Sequence, residues 1–441
     1  MTEPENRMEI PLRIDPERAG TYFTLPFQVP DEVERMTIEY RYPRYDSETR
    51  PLPNGAFISR TERNIIDIGL IGPDGRQRGA SGSDKTSFSI SETEATPGYR
   101  ACALVPGEWR VLVGAYRVQP EGVDVAYTIR FEFKKRRLFL GDLHAHTLAS
   151  DGVHTAAELA IKAKRAGLDF VAITDHNQTV GRDELAAVGE SGVTLIPGVE
   201  WTHYAGHANF LGAERDFEIG FAVNAEDEIR ARFRAARDAG LTIGINHPFD
   251  EGVPFQLDQN ALPYDYVEVW NGPMRMSNLR AIAAWNQLLL AGKRIPAWGG
   301  SDYHRDTPFS FLGGPTAGVY AGSRGVEDLL AAIRAGSGFI TFEPSGPTID
   351  LSAGDVKIGG CVSLRETRSV HLSIDRLKTG DTLRILTPAG AMEALTAGSA
   401  GSAEIDFPID APGFVRAEIY RALIPGLPPL PVLVSNPIWV T

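Results

Sequence analysis

The sequence predicts an α/β fold in the middle of the chain, with an all-β domain on either side. Three observations support this prediction. Apolar residues make up 43% of the 441 positions, which suffices for packed cores. Short apolar runs alternate with helical stretches in the central part, and metal-ligand side chains follow those runs. At roughly 150 residues per domain the length suggests about three domains, which we place at 1–137, 138–343 and 344–441.

The first and last segments have the pattern of antiparallel β structure. In 1–137, alternating apolar runs are broken by turn residues, as in NIIDIGL ahead of GPDG and RVLVGAYRV after PGEW. In 344–441, glycine and proline again surround alternating runs such as SVHLSIDRL and LRILT. We therefore expect an N-terminal β-sandwich-like domain and a small C-terminal β domain.

The central segment, 138–343, has a repeated strand–helix pattern. The stretches AAELAIKAKRAG, DEIRARFRAARDAG and VEDLLAAIRAG each end in Ala-Gly ahead of another apolar run. A glycine directly after a helix is a common C-terminal stop. Repeated strand–helix units predict a parallel α/β sheet or barrel.

Charge and cysteine content narrow the classes of partner. With 44 Lys and Arg against 57 Asp and Glu, the net charge is −13, which repels nucleic acid and anionic membranes at long range. The charge therefore disfavours nucleic-acid and membrane partners, and we expect a small-molecule substrate. The sequence is compatible with a homo-oligomer. Cys102 and Cys361 are too few for a thiolate site, so a metal must use His and carboxylates. The start, MTEPENRMEI, lacks the basic and apolar regions of a signal peptide, which predicts the cytoplasm.

The histidines are concentrated in the central segment. Eight of the nine lie between His144 and His304, and most follow an apolar run directly. The carboxyl ends of parallel strands meet at one face, and buried imidazoles and carboxylates are costly unless something neutralises them. His144 and His146, two apart on a predicted strand, face the same side. The pattern predicts a metal centre.

These residues occur in an ordered set of motifs. GDLHAHTLASDG, followed in order by ITDHN, PGVE, NHP and GSDYH, resembles the polymerase and histidinol phosphatase (PHP) family of metal-dependent hydrolases. The turn motifs LIGPDG, TPGY and PGEW are similar to those around the core in the carbaryl-hydrolase-like branch of that family. The resemblance implies a distorted (β/α)7 PHP barrel with two or three divalent ions. Imidazole and carboxylate ligands suit zinc, manganese or iron.

The resemblance also implies which residues bind each ion. Glu200 bridges two ions, and Asp302 and His304 join it as the catalytic group. Asp142 and Asp175, each beside a ligand histidine, are expected to orient an imidazole. The implied ligands are His144, His146, Glu200 and Asp302 for one ion, Glu200, His207 and His247 for the second, and Asp151, His176 and His304 for the third.

One of these assignments has an alternative, because His203 and His207 both follow Glu200 closely. We favour His207 as the ligand, since GHANFLG predicts a strand that starts there. His203 then becomes a residue of the substrate pocket or a support for the ligands.

The expected chemistry is hydrolysis. Two ions that share Glu200 lower the pKa of a bridging water to about 7 and stabilise charge on the attacked centre. The resemblance implies a phosphoesterase acting on a small phosphate ester or a nucleotide, and Arg182, Arg275 and Arg305 would then bind its anionic group. One alternative is a hydrolase of aryl carbamate or carboxylic esters, which an apolar pocket would favour. A second alternative is a non-catalytic binding protein that bound metal ions stabilise. Missing metal ligands would favour this alternative.

Overall fold

The computed structural model describes residues 6–45, 50–51, 58–59, 62–181, 185, 192–213, 220–424 and 426–441. The chain divides into two compact units, Met1–Lys135 and Arg136–Thr441. The three-domain division stays a prediction. In the parts of the chain just given, no helix combines the length and the apolar content that crossing a membrane requires.

The first unit consists of two four-stranded antiparallel sheets, ordered β1-β10-β3-β8 and β2-β9-β6-β7, with β4 and β5 as a separate short pair. Ile38 and Ile129 from one sheet share a buried core with Ile68 and Val111 from the other. The first unit therefore has the predicted β-sandwich-like arrangement. Its strands are β1 (Arg7–Ile14), β2 (Thr21–Val29), β3 (Val33–Arg41), β4 (Arg50–Pro51), β5 (Ile58–Ser59), β6 (Ile65–Ile71), β7 (Gln77–Ser81), β8 (Ser87–Ser91), β9 (Gly107–Arg117) and β10 (Val123–Phe133), with a 3-10 turn at Pro16–Arg18.

The second unit begins with strands and helices in alternation, as the repeated pattern predicts. Each of the three Ala-Gly pairs lies at the end of a helix. Gly167, Gly240 and Gly336 have φ values of 81°, 77° and 67°, which lie in the left-handed region that glycine adopts readily. The elements are β11 (Arg137–Ala145), α1 (Ala156–Ala166), β12 (Phe170–Ile173), β13 (Thr194–His203), β14 (Gly206–Leu211), α2 (Glu226–Asp238), β15 (Thr242–Ile245), a 3-10 turn (Gln259–Ala261), β16 (Tyr266–Asn271), α3 (Met276–Leu290), β17 (Ala297–Gly300), β18 (Thr316–Ala321), α4 (Val326–Ala335) and β19 (Gly338–Thr341).

Strands β11 to β17 lie side by side in chain order. Beyond β17, the backbone of Tyr303 bonds to the end of β11: its carbonyl accepts from the His146 N–H at 2.9 Å, and its N–H lies 3.3 Å from the His144 carbonyl. These bonds bring the last strand of the series next to the first. The seven strands therefore curve into a ring that closes at this contact. The residues that follow the strands of the ring that run parallel to one another lie around one opening.

The ring departs from a regular (β/α)7 barrel, and a full barrel of that kind is not confirmed. Strand β14 runs antiparallel to both of its neighbours, β13 and β15. His203 pairs with Gly206, so the β13–β14 connection is a two-residue hairpin that has no room for a helix. In the described residues, helices follow β11, β14 and β16 within the ring.

The C-terminal part of this unit is all β, as predicted. Strand β19 pairs with β28, so the sheet continues from the ring into the C-terminal strands. Leu372 of β23 and Ile419 of β27 share one buried core. The strands are β20 (Thr348–Ala353), β21 (Val356–Lys357), β22 (Cys361–Val362), β23 (Ser369–Leu377), β24 (Thr382–Thr387), β25 (Gly390–Thr396), β26 (Gly401–Pro408), β27 (Gly413–Arg421), β28 (Leu430–Ser435) and β29 (Ile438–Val440).

Candidate metal centre

Glu200 lies at the centre of the histidine cluster. It is fully buried in β13, and its two carboxylate oxygens face different groups of imidazoles. Asn246 also donates to Oε1 at 2.8 Å. The imidazole distances are 3.2 Å (His144 Nε2), 3.1 Å (His207 Nδ1) and 3.4 Å (His247 Nε2) to Oε1, and 3.6 Å (His146 Nε2) and 2.8 Å (His176 Nδ1) to Oε2.

Asp302 faces the same cluster from the segment after β17. Its Oδ1 lies 3.0 Å from His146 Nε2 and 3.4 Å from His144 Nε2. Asp302 has a φ of 51° and His247 a φ of 26°, values that non-glycine residues adopt at a cost and that often occur at functional sites. The backbone is thus strained at two of the residues that approach the cluster.

Asp151 lies on the open side of the cluster, where its side chain is 55% exposed. Its carboxylate is 3.2 Å from His304 Nε2, 3.7 Å from His176 Nε2 and 3.9 Å from His146 Nδ1. Potential ligand atoms of these four residues lie within 4.8 Å of one another, as do those of two further groups. The two further groups are His144, His146 and Glu200, and His176, Glu200 and His207.

The cluster fits divalent cations. His144 Nε2, His146 Nδ1 and Glu200 Oε2 are buried, and among the described residues no contact to these atoms, including the close imidazole–carboxylate approaches given above, has the geometry of a hydrogen bond. Leaving such atoms unsatisfied costs free energy, and a cation at these positions would satisfy them. A set of imidazole nitrogens and carboxylate oxygens matches the zinc, manganese or iron that the sequence predicts.

The electrostatics of the cluster point the same way. Burial alone would raise the pKa of Glu200, but His144, His176 and His207 hold the pKa of its carboxyl well below its usual value. Burial alone would lower the pKa of His144, but Asp302, Glu268 and Glu200 raise that pKa well above the usual value. A proton on His144 would offset the buried negative charge of the metal-free site, and a bound cation would take the place of that proton.

Glu268, in the apolar run YVEVW of β16, belongs to the candidate site, although no sequence motif points to it. Its Oε1 lies 3.0 Å from His144 Nδ1, and its Oε2 accepts from the His247 N–H at 2.9 Å. It is buried and orients the His144 imidazole from behind, as carboxylates commonly do for metal-ligand histidines. The available signal was a carboxylate inside an otherwise apolar strand.

Asp142 and Asp175 have a different role from the expected one. Asp142 Oδ1 accepts from the N–H groups of His144 (3.1 Å) and Ser301 (2.9 Å). Asp175 accepts from the Thr147 N–H at 2.7 Å and from the Ser150 hydroxyl at 2.7 Å. In the contacts that the structure gives, both carboxylates fix the backbone and loops that carry the ligands and do not bond to an imidazole.

The structure separates His203 from His207. His207 Nδ1 lies 3.1 Å from Glu200 Oε1. The His203 ring stacks on Trp201, with 5.3 Å between centroids, and its Nε2 lies 3.1 Å from the Val223 carbonyl. This placement groups His207 with the predicted ligands and gives His203 a packing position beside them.

The three arginines proposed as substrate contacts differ in their surroundings. Arg305 directly follows His304 and is exposed. Arg275 donates to Asn271 Oδ1 at 3.1 Å and lies 3.5 Å from Asp250 Oδ2. Arg182 lies outside the described residues.

Comparison with known proteins identifies the same region. Residues 142–267 match the family described as PHP domain. This span includes the predicted ligands from His144 to His247 and ends before Asp302 and His304. The finer resemblance to the carbaryl-hydrolase-like branch is not confirmed.

Two curated relatives match shorter stretches. A 5'-3' exoribonuclease of Haemophilus influenzae is 45% identical over 60 residues, which are 13% of this chain and 22% of that protein. A 3',5'-nucleoside bisphosphate phosphatase of Chromobacterium violaceum is 32% identical over 117 residues, 25% of this chain and 41% of that protein. The chain thus spans between one fifth and about two fifths of the length of these relatives.

Solved structures show looser likenesses. A two-domain Bacteroides vulgatus protein containing a predicted PHP-like metal-dependent phosphoesterase aligns with a TM-score of 0.41 at 18% identity, over 68% of this chain and 95% of that one. A Chromobacterium violaceum amidohydrolase with bound sulfate and no metal aligns with a TM-score of 0.28 at 20% identity, over 38% of this chain and 89% of that one.

Proposed function

We propose that the protein is a metal-dependent hydrolase, and specifically a phosphoesterase that acts on a small phosphate ester or a nucleotide. The observation that carries this proposal is the buried carboxylate of Glu200 in contact with five imidazoles. The PHP-domain match supports it. So do the names of the two relatives, an exoribonuclease and a bisphosphate phosphatase, which describe phosphate-ester chemistry.

In this proposal the bound ions, Glu200 and Asp302 have different roles. Divalent ions, when bound, supply charge stabilisation at the attacked centre and lower the pKa of water. Glu200 reaches both sides of the cluster, with Oε1 toward His207 and Oε2 toward His176, which suits a bridging ligand. Asp302 directs one oxygen at His144 and His146, where it completes the most buried part of the site.

Substrate approaches from the side of Asp151 in this proposal. His144 and His146 are fully buried, whereas the side chains of His304 and Asp151 are 27% and 55% exposed. Arg305, exposed next to His304, would pair with an anionic substrate group from this side, since a guanidinium binds phosphate oxygens through two parallel hydrogen bonds.

A second candidate is hydrolysis of aryl carbamate or carboxylic esters. Exposed apolar side chains favour it, because Leu148 and Val153 follow β11 and Phe309 follows β17, all on segments that carry ligands. Their exposed fractions are 59%, 44% and 77%. Such side chains could contact an aromatic leaving group.

The deciding experiment is metal reconstitution followed by a substrate screen. Purified protein is stripped with a chelator, reloaded with Zn²⁺, Mn²⁺ or Fe²⁺, analysed for metal content, and assayed on phosphomonoesters, phosphodiesters and aryl carbamates. Metal-dependent turnover of a phosphate ester supports the proposal. Turnover of carbamates alone would favour the second candidate, and full metal content without any turnover would favour a non-catalytic binding protein.

A further inference from the structure

The side-chain amide of Asn271 lies between two carboxylates that serve the metal centre. Asn271 is buried at the end of β16. Its Nδ2 donates to Glu268 Oε2 at 3.2 Å and to Asp302 Oδ2 at 3.3 Å. Each carboxylate uses its other oxygen on a predicted ligand, Glu268 on His144 and Asp302 on His146. We call this Asn271 contact with Glu268 and Asp302 the amide bridge.

The amide bridge works in only one orientation of the Asn271 side chain. A rotation of 180° would turn the carbonyl oxygen toward two carboxylates, which accept hydrogen bonds and offer none when ionised. Arg275 Nη2 donates to Asn271 Oδ1 at 3.1 Å. Because a guanidinium can only donate, this contact selects the orientation that points Nδ2 at Glu268 and Asp302.

The backbone of Asn271 is fixed as well. Its N–H donates to Asn278 Oδ1 at 3.2 Å, and its carbonyl accepts from Asn278 Nδ2 at 3.0 Å. With the backbone held by α3, the remaining freedom of Asn271 is the rotation of its amide. Arg275, at the residue before α3, controls that rotation.

The position of Arg275 fits this role better than a substrate contact. Its guanidinium is placed by two protein groups, Asn271 Oδ1 at 3.1 Å and Asp250 Oδ2 at 3.5 Å. Asp250 follows His247, and its N–H bonds to the His247 carbonyl at 2.9 Å. Arg275 thus joins the loop that carries one predicted ligand to the amide that steadies two carboxylates.

We infer that Arg275 is a positioning residue, which acts through the Asn271 amide to hold Glu268 and Asp302 against the metal centre and does not bind substrate. The inference rests on the metal centre of the proposed function and is independent of the substrate class. It replaces the substrate-binding role that the sequence suggests for Arg275.

The test compares Arg275→Met, which carries no hydrogen-bond donor, with Arg275→Lys and with a control, Arg280→Met, which changes an exposed arginine on the same helix. Mn²⁺ affinity is measured by calorimetric titration of metal-stripped protein. Arg275→Met should weaken Mn²⁺ binding about ten-fold, the low end of the effect of removing a residue that supports metal ligands. Arg275→Lys retains a donor for Asn271 and should recover most of the affinity, and Arg280→Met should match the unchanged protein.

Binding of inorganic phosphate separates positioning from substrate contact. At saturating Mn²⁺, Arg275→Met should bind phosphate within about two-fold of the unchanged protein, whereas loss of a direct anion contact would cost ten-fold or more, about 1.4 kcal/mol. Unchanged Mn²⁺ affinity in Arg275→Met would overturn the inference while leaving the proposed function intact. Failure of the unchanged protein to bind any Mn²⁺, Zn²⁺ or Fe²⁺ would overturn both.

A double-mutant cycle tests whether the effect passes through Asn271. In an Asn271→Ala background, Arg275→Met should cause no further loss of Mn²⁺ affinity, because the contact it removes is already gone. An additive loss would show that Arg275 acts by another route and would overturn the inference. If Asn271→Ala does not fold, the Mn²⁺ affinities of the two Arg275 variants decide by themselves.

Discussion

Glu200 and Asp151 differ in how their carboxylates are surrounded, and this predicts different costs of mutation. Glu200 is buried with five imidazoles around it, and Asp151 is 55% exposed at the edge of the cluster. The loss of turnover in Glu200→Gln should therefore be larger than that in Asp151→Asn by a factor of about ten or above. Glu200→Gln should also lose more than one metal ion. Turnover and metal content measured together check the ranking, and equal losses in the two variants would contradict it.

His207 and His203 give a second contrast between neighbouring residues. His207→Ala should lower metal content by about one ion per chain, because its imidazole lies 3.1 Å from Glu200. His203→Ala should keep its metal and lose about 1 kcal/mol of stability, because it removes the stacking on Trp201. Elemental analysis and thermal unfolding of both variants distinguish the roles. Metal loss in the His203 variant alone would reverse the assignment.

The residues of the candidate site that are recognisable in the sequence are those whose type and position are unusual. His144 and His146 are recognisable because two imidazoles directly follow an apolar run. Glu268 and Asn271 are missed because a single polar residue in a strand has many ordinary explanations. Their role depends on which strands are neighbours, and β16 contacts β17 only in the folded ring.

At the level of elements, the ring depends on close contact between its first and last strands. Gly300 ends β17, and a Cβ there would lie 2.4 Å from the His144 Cβ and 3.1 Å from Glu268 Oε1. Gly300→Ala must push β17 away from β11, which should cost about 1–3 kcal/mol and reduce metal content. The control is Gly398→Ala, since a Cβ at Gly398 meets nothing within 4 Å. Thermal unfolding of metal-free protein checks the stability change, and identical behaviour of both variants would contradict it.

The helix ends and the hairpin show what local sequence can predict. Ala-Gly marks helix ends correctly because the left-handed conformation after a helix favours glycine at Gly167 and Gly336. The β13–β14 hairpin escapes notice because its turn residues, Tyr204 and Ala205, lack the Asn-Gly or Asp-Gly pair that typically forms a two-residue turn. Pairing along the strands, from Gly198 with Leu211 to His203 with Gly206, outweighs this unfavourable turn.

At the level of the whole molecule, the two compact units were predictable to different degrees. The β structure of the first unit follows from alternation in each strand, as in β10, whose side chains alternate between buried and partly or fully exposed. The continuation of the ring sheet into the C-terminal strands could not be predicted in this way. It pairs residues that are far apart in the sequence, such as Phe339 and Ser435. A pairing over about a hundred residues leaves no local pattern in either strand.

The charge balance of the candidate metal centre makes the stability of the metal-free protein depend on pH. In the metal-free protein, the pKa of His144 is raised by Asp302, Glu268 and Glu200 against the opposing effect of burial. A raised histidine pKa contributes stability below the unfolded value of about 6.5 and loses it as the pH rises through the folded value. Raising the pH therefore removes this contribution of His144, and those of His176 and His247, whose pKa values are also raised. Burial lowers the pKa of His146, which acts in the opposite direction. Added cations compete with the proton on His144.

The stabilisation by metal should consequently grow with pH. We expect the gap in Tm between metal-loaded and chelator-treated protein to be larger at pH 8 than at pH 6, because the proton that His144 holds must leave before a cation can bind and leaves more readily at higher pH. Thermal unfolding at both pH values, with excess Mn²⁺ or with chelator, measures the gap directly. Glu200 does not reverse this trend, because its pKa is held well below its usual value and it stays ionised throughout. A gap that is equal at the two pH values would show that ions bind away from His144, and a gap that shrinks at pH 8 would show that metal binding does not compete with its proton.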